Sequence, residues 1–122
     1  MATQTASSGS TLATDSLTAL HWAGILLSLA TGLLHLGLAA SFGASGLGVA
    51  FAVAGVGYLA GVAAVLVDYR RRAMYLVGIP FTLGQVVAWY ALNAPDFSTL
   101  GYADKAIQVA LVVVLAVLYR RA

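Results

Sequence analysis

The chain has 122 residues, 61% of them apolar and 8% charged, where an ordinary soluble domain runs at roughly 45–50% and about 25%. A hydrocarbon core about 30 Å thick takes roughly 20 residues per spanning helix, so the composition is that of an integral membrane protein with about four spans and no room for a separate soluble catalytic domain. Cysteine and glutamate are absent, which excludes disulfides, thiolate nucleophiles and Cys-ligated metals and leaves Asp15, Asp68, Asp96 and Asp104 as the acids.

The segment from Met1 to Ser16 is rich in Ser, Thr and Ala, carries one charge and shows no hydrophobic periodicity, so it reads as a disordered tail. No Lys or Arg precedes Arg70. The first apolar segment therefore lacks the basic flank of a secretory signal and is expected to be retained. It runs from about Leu17 to Ala40, with Asp15 or Ser16 placed to cap its first N–H groups. SFGASG follows as a tight turn. The second segment runs from about Leu47 to Val67 and stops at DYRRR, where Asp68 can pair with Arg72 at i,i+4. The third, from about Met74 to Leu92, holds Gly78 and Pro80, a combination that predicts a bend. After the loop NAPDFSTLGY a fourth covers about Ala103 to Tyr119.

Spans joined by such short connections are antiparallel neighbours. The expected fold class is all-α, an up-down-up-down four-transmembrane-helix bundle. A barrel is excluded because its strands alternate over about ten residues rather than staying apolar throughout. Arg70, Arg71, Arg72, Arg120 and Arg121 fall on one side of this bundle and Lys105 on the other. The positive-inside rule then places both termini in the cytoplasm, in a cell membrane. These arginines read as topology and lipid-headgroup contacts, with no nucleic-acid surface implied. On this reading Asp104 and Lys105 lie in or next to the outer loop, and no formal charge enters a span.

Helices in lipid gain little from apolar contact with one another, so small and polar stripes mark the faces that pack. His21, Gly24, Ser28, Thr31 and His35 share one face of the first helix. On the second, Ala50, Ala54, Gly57, Gly61 and Ala64 repeat the rhythm, and the Gly57–Gly61 pair predicts close approach of a neighbouring backbone. Tyr75, Gly78, Thr82, Gln85 and Trp89 do the same on the third. The fourth helix is apolar all round beyond Gln108 and is expected to be peripheral and exposed to lipid. At 1.5 Å per residue, Ser28, Tyr58 and Gln85 fall near mid-membrane, with His35, Trp89 and Gln108 closer to the outer face.

Polar side chains at those depths are the candidate functional groups. The leading expectation is a non-enzymatic accessory or self-associating bundle whose partners are the lipid bilayer and a second copy or another membrane protein, with no cofactor or metal. The competing one is a small solute or ion carrier or channel using the layer His35, Gln85 and Gln108. A third is a haem-binding electron carrier. Fourteen residues separate His21 from His35, a helical spacing that stacks two haems, but ligation would need a homodimer to supply the second histidines. Small multidrug-resistance exporters are similar in span number, but their intramembrane glutamate has no counterpart here.

The runs GIPFTLGQVVAWYALN and GYADKAIQVALVVVLAVLYRR, with arginine outnumbering lysine five to one, resemble small four-helix membrane proteins of halophilic archaea that are grouped as families of unknown function. The resemblance covers most of residues 17–121 and implies a four-helix bundle. No activity comes with it.

Overall fold

A computed structural model describes residues 12–122. They form four helices, α1 (Ala19–Phe42), α2 (Gly46–Leu66), α3 (Arg71–Asn93) and α4 (Thr99–Arg121), after a single 3-10 turn at Thr14–Ser16. All four helices are long and apolar enough to cross a membrane. The connections are residues 43–45, 67–70 and 94–98, too short for anything but antiparallel neighbours. Helix α1 packs against α2 and α4, and α3 packs against α4. Helices α2 and α3 meet more loosely, closing a four-sided bundle.

Local chemistry sets the helix ends. Ser45 Oγ accepts the Gly48 N–H at 3.1 Å and Ser98 Oγ accepts the Gly101 N–H at 3.0 Å, so both serines are N-caps. The start of α1 is capped by Thr18 rather than by Asp15 or Ser16, with the Thr18 N–H donating to His21 Nδ1 at 3.0 Å. Helix α3 is continuous through Pro80. Between α2 and α3 the chain turns through two left-handed residues, Asp68 at φ 56° and Arg70 at φ 48°. That turn breaks the helical register that an Asp68–Arg72 pair would need. Asp68 instead faces Arg71 Nε at 3.4 Å, while Arg72 donates to the Ala122 carbonyl at 2.9 Å and stacks on Tyr119.

The expected disordered tail lies outside the described residues up to position 11, and its end is held in place. The Ala13 N–H donates to the Leu66 carbonyl at 2.6 Å, and Arg71 donates to Ser16 Oγ at 2.7 Å and to the Ala13 carbonyl at 3.1 Å. Composition misses this because the anchor is one guanidinium far along the chain.

An apolar cluster of Ile25, Val62, Val65, Tyr75 and Leu118 fills the end of the bundle near the arginines. The closest approach between helices is not at the expected Gly57–Gly61 pair. A Cβ on Gly55 would stand 2.9 Å from the Gly32 carbonyl and 2.6 Å from Leu36, so α1 and α2 cross at Gly32 and Gly55 beside buried Ala54. Gly57 instead receives the Phe81 ring, and a Cβ on Gly61 would meet nothing within 4 Å. Gly24 and Gly78 face α4, against Val114 and Leu115 respectively. The i,i+4 spacing picked out a real helix face but not which residues on it touch.

Candidate functional site

Helix α4 is the departure from expectation that matters most. It is not peripheral: Asp104, Lys105, Gln108, Leu111 and Leu118 are all buried. It begins at Thr99, a full turn before the expected start, so Asp104 and Lys105 lie well inside the helix and not at its edge beside the outer loop. Residues 104, 108, 111, 115 and 118 follow steps of three and four and so share the inward face.

Asp104 is 6% exposed, Lys105 9% and Gln108 0%. Lys105 Nζ donates to Asp104 Oδ2 at 2.7 Å and to Gln108 Oε1 at 2.8 Å. The other carboxylate oxygen, Oδ1, accepts from Thr31 Oγ1 at 2.7 Å. Gln108 Nε2 then has three acceptors in reach: Gln85 Oε1 at 2.9 Å, Thr31 Oγ1 at 3.2 Å and Tyr58 OH at 3.3 Å. Its amide supplies two hydrogens, so one contact is shared. Tyr58 OH and Thr82 Oγ1, 2.9 Å apart, complete the layer. Thr31, Tyr58, Thr82 with Gln85, and Asp104 with Gln108 come from α1, α2, α3 and α4 in turn.

His35 flanks this layer. Its Nδ1 lies 2.7 Å from the Thr31 carbonyl, to which it can only donate, and its Nε2 is 4.0 Å from Asp104 Oδ2. The ring packs edge-on to Phe51 and tilted to Tyr58. This orientation places Nε2 on the Asp104 side of the ring, inside the bundle. His21, the other proposed haem ligand, uses its Nδ1 in the α1 cap. Among the described residues no three His, Asp, Glu or Cys side chains group into a metal site.

The expected layer of His35, Gln85 and Gln108 is thus joined by Thr31 and Tyr58, also expected, and by Asp104, Lys105 and Thr82. Ser28 and Trp89 stand apart. Ser28 lines a different cleft. Trp89 stacks on Phe97 with centroids 4.4 Å apart, and Lys105 Nζ lies 5.9 Å from its ring. Two clefts flank the layer along the loose α2–α3 seam. One of about 630 Å³ is lined by His35, Gln85, Trp89, Asp104 and Lys105 on the side away from the arginines. The other, of about 440 Å³, runs from Tyr58 and Phe81 toward Tyr69 and Tyr75 on the arginine side. A buried ion pair with neutral polar groups on both sides can replace the hydration of a small charged or polar species.

The model of a family of unknown function, DUF7475, matches residues 6–119. The chain belongs to that family. No curated protein and no solved structure matches it, so the chemistry of this DUF7475 chain is read from its own side chains.

Proposed function

We propose that this is a non-enzymatic multi-pass membrane protein that passes a small ion, with the Asp104–Lys105–Gln108 layer as the selecting element. The observation that carries this reading is the buried Asp104–Lys105 pair, hydrogen-bonded to Thr31 and Gln108 and joined through Gln108 to Tyr58 and Gln85, and lying between two clefts. Ionisable side chains within a span are costly and are functional candidates by default. Self-association has no comparable support, because Gly57 holds Phe81 from the same chain and Gly61 lines an internal cleft.

The membrane reading rests on the four apolar helices, and the orientation rests on arginines grouped at one end. Both termini are proposed to be cytoplasmic, in a cell membrane. Ser45 and Ser98 are caps, so single cysteines belong at the exposed neighbours Ala44 and Asp96, which should label from outside with an impermeant maleimide, while cysteine at Ala73 should not.

Ion passage is tested in liposomes carrying the purified protein, with fluorescent reporters for protons, Na+, K+ and Cl−. Flux of at least one ion should exceed that of protein-free liposomes and fall in His35→Ala and Gln85→Ala. Flux equal to the protein-free control for all four ions would sink the proposal.

A further inference from the structure

The arginine-side cleft meets the polar layer at Tyr58, and away from that layer it contains an unpaired polar group. Tyr75 is 2% exposed and lines this cleft, and its hydroxyl has no hydrogen-bond partner among the described residues. A buried hydroxyl without a partner is destabilising unless something supplies one. Apart from His21, Ser28, Tyr58 and Tyr69, the remaining lining is apolar. At Gly61 the wall is bare backbone, with nothing within 4 Å of where a Cβ would stand. Tyr69 also lines the cleft, and the Arg70 guanidinium lies 5.5 Å from the Tyr69 ring. Unlike those of Arg71 and Arg72, the Arg70 guanidinium makes no hydrogen bond or ion pair among the described residues.

A cation held over Tyr69 at the mouth of the cleft is thus followed, going into the bundle, by an orphan donor and an apolar trough. Tyr75 lies five residues, or about 7.5 Å of helix rise, beyond Arg70. In a phospholipid the phosphate, the oxygens at glycerol level and the hydrocarbon chain come in this same order. We infer that the cleft binds one anionic membrane lipid, with its phosphate at Arg70, a glycerol-level acceptor oxygen on the Tyr75 hydroxyl and a chain lying past Gly61. Entry is along the α2–α3 seam, where the helices pack least closely. The inference rests on the membrane reading, and its test reads bound lipid rather than flux, so that its failure and a failure of ion passage are distinguishable.

The site is tested on delipidated full-length protein in detergent. Phosphatidylglycerol or phosphatidylcholine with identical chains is added, and bound lipid is counted by native mass spectrometry. Wild type should retain phosphatidylglycerol preferentially. Tyr75→Phe should lower that retention roughly three- to tenfold, the equivalent of one hydrogen bond, and should leave the lipid-free melting temperature unchanged or higher because it removes an unpaired hydroxyl. Gly61→Leu should fold and block the chain seat, and Arg70→Gln should abolish the preference between headgroups. Equal retention of the two lipids by wild type, or wild-type retention of phosphatidylglycerol in either Tyr75→Phe or Gly61→Leu, overturns the inference. Resistance of the protein to carbonate extraction from its membrane fraction tests the membrane reading separately.

Discussion

Asp104 and Lys105 are consecutive on one helix and still pair, Nζ to Oδ2 at 2.7 Å, with both side chains turned into the bundle. Successive helical positions point about 100° apart, and hydrogen bonds from Thr31 to Asp104 and from Lys105 to Gln108 hold the two side chains where they meet. Removing one partner leaves the other charge buried and uncompensated. Lys105→Met is expected to cost about 3–5 kcal/mol, while the double variant Asp104→Asn with Lys105→Met should recover much of that loss. Thermal unfolding in detergent of wild type, both single variants and the double measures the coupling. Additive losses would show that the pair does not act as a unit.

The crossing at Gly32 and Gly55 makes a contrast between two glycines on the same helix. A methyl on Gly55 meets the Leu36 side chain at 2.6 Å and the Gly32 carbonyl at 2.9 Å, and a carbonyl cannot rotate away. Gly55→Ala is expected to cost about 1–3 kcal/mol through overpacking. Gly61→Ala meets open space and should be neutral or slightly stabilising, since alanine is favoured over glycine in a helix. Equal melting temperatures for the two variants would contradict this assignment of the contact.

The number of helices and their rough limits were legible in the composition, because four apolar runs separated by turn residues and arginines admit few alternatives. Interior contacts were less so. Gly32 and Gly55 are set by where α1 and α2 cross, and a spacing pattern in one helix says nothing of its partner's phase. The misreading of α4 had a local cause. Beyond Gln108 the helix is apolar on every side, which reads as exposure to lipid, although Asp104, Gln108, Leu111, Leu115 and Leu118 already form one continuous stripe. Thr31, Tyr58, Gln85 and Gln108 were within reach because an uncharged polar residue in an apolar run must find a partner. Lys105 was not, because burial of a lysine depends on the carboxylate beside it.

Arg71 ties the N-terminal turn to the bundle through Ser16 Oγ and the Ala13 carbonyl, and also donates to the Val65 carbonyl at 2.8 Å. These contacts lie at the exposed end, where individual ion pairs and hydrogen bonds contribute little to global stability. Arg71→Ala is therefore expected to loosen the turn without unfolding the helices. Hydrogen exchange at the Ala13 and Leu17 amides, both bonded in the structure, should accelerate, with α1 to α4 protected as in wild type. Unchanged exchange at Ala13 would mean that the backbone bond to Leu66 holds the turn by itself.

The two histidines stand on one helix and are expected to be opposite tautomers when neutral. His21 Nδ1 accepts the Thr18 N–H at 3.0 Å, so its proton resides on Nε2. His35 Nδ1 lies 2.7 Å from the Thr31 carbonyl, an acceptor only, so its proton resides on Nδ1 and leaves Nε2 toward Asp104. The distinction matters for ion passage because only the second arrangement presents an unprotonated ring nitrogen to the buried carboxylate. Ring 15N shifts of histidine-labelled protein, assigned by His21→Gln and His35→Gln, separate the two forms directly. An Nε2–H form at His35 would overturn this assignment, because the ring would then present a donor, not a lone pair, to the Asp104 carboxylate.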